Sequence, residues 1–458
     1  MKDRPLRELA AFSARTSLDG IPPEVVEAAR LSLTDTLGCM LGGSTVEPVR
    51  SLASSVAQAQ QRTRMVGTPF RTHPYDAALV GGIAGTWMDA DSGGTKHPAG
   101  GRVPPVPTAH PAVHILPALL AEIDGTASMS GQELLRIYLL SHEVGARIGS
   151  ATRLLPGIHP HGVHGNSSAA LSVGLTRGFS PDRLTRAMEL ATVLPLMTSL
   201  HVAMSGATVR NAYAGIGARN GMLAADAASS GAAAPEGSAR LVLADSVLSD
   251  ALDEDRLLSG LGVEWESTRA YIKPHACARW IHPALDAIAS LIPSAGLDPE
   301  EVASIRVRTF RFAAMMDDPH PSTDLGGKFS VPYSMAAMVC FGRVELAAFT
   351  PSAMRRPDLT SLAERVEVVE DPEFTAALPD RRPTTVEIRF RDGRLASASV
   401  EGARGDPEDP LSAAELDEKY LRLATAAVGS DRAGQSLKLL HRLAELPSIG
   451  ILMDSLVP

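Results

Sequence analysis

The stretch PPEVVEAARLSLTDTLGCMLGG (22–43) decides how the first half of the chain folds. It opens on two prolines and ends on two glycines, residues that typically start and stop a helix. Between them, apolar residues recur at helical spacing: Val26, Ala29, Leu33, Leu37 and Met40. The stretch therefore predicts a long helix.

Further segments repeat this pattern. SPDRLTRAMELATVL (180–194) has Ser180 as a candidate N-cap and Pro181 at the first helical position. GQELLRIYLLSHEVGARIG (131–149) and SAAELDEKYLRLATAAV (412–428) also carry apolar stripes at helical spacing. Abundant Ala and Gly around these segments suit helices that cross closely, so we predict mainly helical structure over the first 260 residues and after residue 405.

The pattern changes near residue 270. VASIRVRTFRF (302–312) alternates apolar and basic residues, as a half-buried strand does. TTVEIRFRDGRLASASV (384–400) alternates again around Asp392-Gly393, a strong hairpin turn signal. A turn and a buried helix are predicted between them. We therefore predict an α+β fold, with a large all-helical domain (1–268 and 405–458) interrupted by a smaller α/β domain (269–404).

Composition excludes several classes of protein. Of 458 residues, 45% are hydrophobic and 21% charged, which fits a globular protein with room for two domains. A net charge of -9, without a basic run, argues against nucleic-acid binding. The three cysteines lie far apart, the N-terminus lacks a signal-peptide core, and no apolar run is long enough to span a membrane. We expect a cytoplasmic protein that binds neither nucleic acid nor membrane.

Histidines gather in two loops rich in glycine and proline. PGIHPHGVHG (156–165) holds His159, His161 and His164, and WMDADSGGTKHPAGGRVPPVPTAHPAVH (87–114) holds two aspartates and three histidines: Asp89, Asp91, His97, His110 and His114. Each loop precedes an Ala/Leu-rich helical run, and helix entrances favour anionic ligands. Loops on a rigid scaffold often carry catalysis, although single loop histidines are often exposed spacers.

A metal site is the alternative interpretation of these histidines. His110 and His114 are four residues apart, and HPHGVH could supply further ligands. However, the H-E-x-x-H pattern is absent, and Pro111 makes His110 a cap more than a ligand on a helix face. We therefore predict no metal.

Two cations also attract attention. Arg210 lies among small residues in SGATVRNAYAG (205–215), and Lys273 lies in YIKPHACARWIHPALDA (271–287). Both could be solvated surface charges. Lys273, however, precedes a proline in an apolar neighbourhood, which is unusual for a lysine that only aids solubility.

Taken in order, these motifs resemble the MmgE/PrpD family, which includes 2-methylcitrate dehydratase, cis-aconitate decarboxylase and iminodisuccinate epimerase. The matching pieces run along nearly the whole chain: LTDTLGCMLGG, MDAD, HPAVHILPALLA, PGIHPHGVHG, GATVRNAYAG, KPHACARWIHPALDA, KFSVPYSMAAMV and GDPEDPLSAAELDEKY. The resemblance implies a helical domain with an α/β lid, a homodimer, no metal or organic cofactor, and a small polycarboxylate substrate in the cleft between the domains.

The resemblance also implies site residues. Asp89 matches the aspartate that opens the family's acidic segment, and His110 and His159 match the histidines of its two loops. Lys273 matches the lysine of the Lys-Pro motif. The chain departs from the family in DADSG, where many members have Asp-Phe-Asp-Asp-Thr, and in Arg210, where the decarboxylases have a lysine.

The chemistry of this family makes or breaks a bond to hydrogen, or releases CO₂, beside a carboxylate. Histidine supplies an acid or base near neutral pH, and cations stabilise the developing negative charge. We assign His110 and His159 as the acid/base pair, Asp89 as the residue that orients or charge-tunes an imidazole, and Lys273 and Arg210 as carboxylate anchors.

Three further residues are candidates for substrate contact: Asp91, His161 and Tyr333. For Tyr333 a buried structural role competes with this one. The sequence thus predicts a cofactor-independent lyase, a dehydratase or decarboxylase. The alternatives are an isomerase or epimerase that uses the same residues, and a non-catalytic binding protein on this scaffold.

Overall fold

A computed structural model describes residues 4–94, 109–124, 129–292 and 297–458. His97, one of the loop histidines, lies outside these residues. The helices are α1 (Arg4–Arg15), α2 (Pro23–Ser44), α3 (Glu47–Ser55), α4 (Pro74–Trp87), α5 (Ala112–Asp124), α6 (Gly131–Ala151), α7 (Gly165–Thr176), α8 (Pro181–Thr192), α9 (Leu200–Met204), α10 (Ala212–Ser229), α11 (Ser238–Ala244), α12 (Glu254–Leu258), α13 (His282–Leu291), α14 (Arg311–Ala314), α15 (Asp324–Lys328), α16 (Val331–Phe341), α17 (Pro357–Ala363), α18 (Pro372–Ala376), α19 (Ala413–Val428), α20 (Ser430–His441) and α21 (Gly450–Ser455). The strands are β1 (Thr63–Arg64), β2 (Arg71–Thr72), β3 (Gly93–Gly94), β4 (Thr152–Leu154), β5 (Ser249–Leu252), β6 (Ala270–Tyr271), β7 (Val302–Thr309), β8 (Val366–Glu370), β9 (Thr384–Phe390) and β10 (Leu395–Val400).

The predicted helices form where their capping residues indicate. Pro23 occupies the first turn of α2, and Ser130 caps α6 by accepting a hydrogen bond from the Glu133 N–H. Ser412 and Glu415 form a reciprocal capping box at the start of α19. α19 then packs on α2, so the C-terminal helices rejoin the N-terminal ones.

The larger sheet has the strand order β10-β9-β7-β8. β9 and β10 pair antiparallel across the predicted Asp392-Gly393 turn, where Gly393 has a φ of 89°. β9 also pairs antiparallel with β7, while β8 runs parallel to β7. Buried and exposed residues alternate along β9, as the sequence predicts. The strand predicted over 302–312 ends at Thr309, because Arg311–Ala314 turns into helix.

Two large hydrophobic cores organise the molecule. One lies among α1, α2, α5, α6 and the C-terminal helices. The other lies between the larger sheet and α13, α16 and α17, and it also takes in Met88 and Ala90 from the acidic segment. The mainly helical α+β prediction is thereby confirmed, while the domain boundaries at 268/269 and 404/405 stay a prediction. Among the described helices, none is long and apolar enough to cross a membrane.

Close helix crossing can be tested at two glycines. A Cβ on Gly43 of α2 would lie 1.9 Å from the Ala84 carbonyl oxygen of α4, whereas a Cβ on Gly434 of α20 would meet nothing within 4 Å. We expect Gly43→Ala to destabilise the fold by about 1–3 kcal/mol or more through overpacking. Gly434→Ala should stabilise it by up to about 1 kcal/mol through helix propensity.

Urea unfolding of the two variants measures both effects. If Gly43→Ala were as stable as Gly434→Ala, the close approach of α2 and α4 would be contradicted.

Candidate active site

The acidic segment leaves α4 through a strained turn. Asp89, two residues after the end of α4, has a φ of 53°, and among the described residues no other non-glycine has a positive φ. Such a conformation costs about 1–3 kcal/mol and persists only where the surroundings hold it. Asp89 is almost fully buried, so its neighbours must also satisfy its charge.

Two cations hold Asp89. Arg210 donates from Nη2 to Asp89 Oδ1 at 2.7 Å. Lys273 Nζ donates to the Asp89 carbonyl oxygen at 2.7 Å and lies 3.4 Å from Oδ2. Both cations are almost completely buried, so neither is a solvated surface charge. The two proposed carboxylate anchors thus meet on one aspartate.

The next acidic residue faces the histidines instead. Asp91 Oδ2 lies 3.0 Å from His110 Nδ1 and 3.5 Å from His161 Nε2. Burial alone would raise the pKa of Asp91, but the charge of Lys273, the hydrogen bond from His110 and the nearby His161 ring hold it well below its usual range. Asp91 is therefore an ionised acceptor beneath the two rings.

The contacts of His110 fix its tautomer. Nδ1 also lies 2.9 Å from the Ser92 carbonyl oxygen, which can only accept a hydrogen bond. The Nδ1 atom must therefore carry a proton, and in the neutral ring Nε2 carries the lone pair. This arrangement, with a carboxylate behind the imidazole, is that of an oriented general base.

His114 connects the two histidine loops. From α5 its Nδ1 donates to the His110 carbonyl oxygen at 2.8 Å, and its Nε2 accepts from the Gly162 N–H at 2.9 Å. Burial lowers the pKa of His114 to about 4, so the ring is neutral at physiological pH. Gly162 has a φ of 77°, which glycine adopts without strain. His114 thus sets the distance between the loops.

His159 lies between two N–H donors. The His161 backbone N–H donates to Nδ1 at 3.1 Å, and the Arg210 Nε–H points to Nε2 at 3.3 Å. Burial, together with the charges of His161 and Arg210, holds the pKa of His159 well below its usual range. Since a neutral imidazole has only one lone-pair nitrogen, one of the two donors always faces another N–H. An anion placed beside Arg210 would accept hydrogen bonds from both the Arg210 Nε–H and the N–H on Nε2 of His159.

The rings of His110 and His159 each make an edge contact with the ring of His161, with centroids 4.5 and 4.7 Å apart. His161 itself is fully buried, and burial with the charges of His110 and Arg210 holds its pKa well below the usual range. His161 therefore lies buried between the other two rings and sets the distance between them.

A cavity of about 540 Å³ opens above these groups. Five of the predicted site residues line it: Asp89, His110, His159, Arg210 and Lys273. His110 and His159 thus reach the same cavity from different loops. Its volume lies within the range of about 300–1,000 Å³ that is usual for small-molecule sites.

The other predicted residues lie elsewhere. Asp91 and His161 are completely buried behind His110, a position from which they orient groups more readily than they contact a ligand. Tyr333 donates its hydroxyl to the Ala348 carbonyl oxygen and packs on Phe349 inside the second core. The structure thus gives Tyr333 the structural role that competed with substrate contact.

The expected role of Asp89 needs correction. We expected Asp89 to orient or charge-tune an imidazole, but its carboxylate contacts Arg210 and Lys273, and Asp91 is the residue that contacts His110. The positive φ of Asp89 is the physical reason, because it turns the two carboxylates toward different neighbours.

Sequence reasoning missed several lining residues. Tyr271 stands edge-on to His110, and Arg279 lies over the Tyr271 ring while pairing with Asp406 at 2.7 Å. Both come from the segment that contains Lys273, so their closeness to Lys273 in the sequence could have indicated a place in the cavity. Trp280, on the apolar wall of the cavity, lies in the same segment, whereas Phe312 and Phe329 on that wall had no comparable signal.

A metal could in principle use Asp91, His110 and His161, whose ligand atoms lie within 4.8 Å of one another. His110 Nδ1, the ring atom beside Asp91, donates its proton to the Ser92 carbonyl oxygen, so it offers no lone pair to an ion held by Asp91, and His110 could bind such an ion only through Nε2.

Two protein-family models match the chain. The MmgE/PrpD N-terminal domain model matches residues 7–240, and the MmgE/PrpD C-terminal domain model matches residues 275–445. The chain belongs to the MmgE/PrpD family.

Curated MmgE/PrpD relatives resemble the chain along its length. A cis-aconitate decarboxylase of Aspergillus terreus is 24% identical, with 98% of this chain and 95% of the relative covered. A cis-aconitate decarboxylase-like protein of Aspergillus oryzae is 25% identical, over 93% and 91% of the two chains. The cis-aconitate decarboxylase of Homo sapiens is 23% identical, over 93% and 89%.

Buried neutral histidines predict how stability depends on pH. Burial lowers the pKa of His142, which stacks on Tyr138 in α6, to about 4, whereas an unfolded histidine titrates near about 6.5. Below about pH 6.5 the unfolded chain takes up a proton on His142 that the folded protein does not. The free energy of unfolding therefore falls as the pH drops from about 6.5 to about 4. We expect His142→Gln to reduce the acid dependence of the unfolding free energy by roughly 1 kcal/mol per pH unit in that window.

Urea unfolding between about pH 7 and pH 5 measures this slope. His201→Gln, which changes an exposed histidine, is the matched control and should leave it unchanged. An identical slope for wild type and His142→Gln would contradict the burial of a neutral ring.

Proposed function

We propose that this MmgE/PrpD protein is a lyase that acts on a small di- or tricarboxylate by proton transfer next to a carboxylate, without a cofactor. Dehydration and decarboxylation both fall within the proposal. Family membership and the names of the relatives support it. The observation that carries it is the oriented His110 imidazole in the same cavity as the buried cations Arg210 and Lys273.

The first step in this proposal is proton abstraction by His110. Its Nε2 takes a proton from the carbon beside a substrate carboxylate, and the electron pair moves into that carboxylate as an enediolate. Asp91 stabilises the imidazolium that forms, since its carboxylate lies 3.0 Å from Nδ1. In a decarboxylation the order is reversed: His110 starts as the imidazolium, CO₂ leaves first, and the resulting carbanion takes the proton from Nε2 of His110.

Arg210 and Lys273 would stabilise the developing negative charge. They share the single carboxylate of Asp89, so their donors are already aimed and need little reorganisation. The further contacts of Arg210 Nη1, to the Thr86 carbonyl and to Asn211 Oδ1, are long, at 3.4 and 3.3 Å. A substrate carboxylate could therefore replace them with shorter, charge-assisted bonds.

His159 would act on the opposite side of the substrate. Once a substrate carboxylate pairs with Arg210, the repulsion between the guanidinium and His159 falls and the ring can take up a proton. The imidazolium then gives that proton from Nε2 to a leaving hydroxyl, which departs as water, or returns it to carbon. Proton return to the opposite face of the same carbon gives epimerisation. The isomerase or epimerase alternative thus uses the same residues and differs only in whether a group leaves.

One experiment tests the proposal. We expect a panel of di- and tricarboxylates in D₂O to reveal one acid that gains deuterium beside its carboxylate or at the alkene product. We expect His110→Gln to lower kcat by about 10²–10⁴-fold, the usual contribution of a general base, while folding normally. NMR of the product reports both turnover and deuterium position.

His441→Gln, an exposed histidine of α20, serves as the control and should behave as wild type. Deuterium uptake without a new alkene would favour the epimerase. Activity of His110→Gln within twofold of wild type, or activity lost on chelation and restored by a metal, would overturn the proposed mechanism.

A further inference from the structure

The cavity has two chemically different sides. Charged and imidazole groups line one side, as described above. The rest of the lining is mainly apolar and includes Leu155, Ile158, Leu200, Trp280 and Phe312, together with the Arg153–Asp250 ion pair. A small polycarboxylate without an apolar substituent would leave these apolar side chains exposed to water.

The apolar side is built from segments that are held in place. The Leu200 N–H donates to the Gly157 carbonyl at 2.7 Å, and Ile158 forms a bridge with Ser199. Ile158 is followed directly by His159, so the apolar surface begins one residue from the proposed acid/base group. These contacts fix the distance between the reacting end and the apolar end.

Two aromatic rings extend this surface. Trp280 and Phe312 stack with centroids 5.0 Å apart and an interplanar angle of 21°. Phe312 nevertheless keeps 37% of its surface exposed. An exposed aromatic ring gains free energy when an apolar group covers it. Phe329 joins the two sides, because Arg210 lies over its ring at 5.8 Å.

We infer that the substrate carries an apolar chain of several carbons in addition to its carboxylates, and that Trp280 and Phe312 select for this chain. The inference rests on the proposed function for the position of the reacting end. The carboxylates face Arg210 and Lys273, and the chain lies along Leu200 and Ile158 toward the stacked rings. Unsubstituted small polycarboxylates fill only the polar side.

Binding tests this selection without turnover. Calorimetry with succinates that bear alkyl chains of increasing length should show an affinity that rises roughly fourfold for each methylene buried, with an increasingly negative heat-capacity change. Phe312→Ala and Trp280→Ala should each flatten this dependence. Leu395→Ala, which truncates an exposed apolar residue of β10, should not.

Turnover of alkyl-substituted and unsubstituted tricarboxylates in D₂O separates the inference from the proposed function. Chain-dependent binding without any turnover would support the inference and overturn the lyase proposal. Turnover of the unsubstituted acid with equal or higher kcat/KM, together with binding that does not depend on chain length, would overturn the inference and leave the lyase proposal standing. Because Phe312 is partly exposed, its alanine variant should fold even if Trp280→Ala does not.

Discussion

The conformation of Asp89 is the constraint on which the site depends. Its positive φ is maintained by hydrogen bonds to backbone carbonyls on either side and at its own position. Lys273 donates to the carbonyl of Asp89, Lys328 to that of Trp87 at 2.8 Å, and Lys419 to that of Ala90 at 2.9 Å. All three ammonium groups are buried. Each is an expensive group to bury, and each donates one hydrogen bond to a carbonyl of this turn.

These lysines also explain how distant parts of the chain build one site. The turn itself lies in the N-terminal half, whereas the three lysines come from after β6, from α15 and from α19. Lys328 and Lys419 also pair with Asp324 and Asp35, respectively. The turn at Asp89 forms its hydrogen bonds only when all these segments are in place. Only in the fully folded protein, therefore, does the Asp89 carboxylate face the cations while the Asp91 carboxylate faces the imidazoles.

Much of this could be predicted from the sequence. Period and capping residues gave α2, α6, α8 and α19 within a few residues, and Asp392-Gly393 gave the β9–β10 hairpin. The choice of His110, His159, Arg210 and Lys273 also followed from loop composition and family resemblance. Local chemistry determines the helices and the hairpin, so local sequence is sufficient to predict them, whereas the site residues also needed the family resemblance.

The remaining features depend on tertiary structure. Alternating aspartates do not reveal which one faces a histidine, since that depends on one backbone angle at Asp89. Lys328 and Lys419 lie in helices, where a lysine usually belongs to a solvated face. Tyr333 lies on α16, which is buried all round, so its helix pattern could not show which way it points.

The most direct measurement of the central claim is a crystal structure with propane-1,2,3-tricarboxylate, which has no alkene or hydroxyl group to react. We expect one carboxylate to be bound by Arg210 and Lys273, with a hydrogen-bearing carbon about 3–3.5 Å from Nε2 of His110. A ligand held by other residues, with its carbon chain out of reach of His110, would contradict the account.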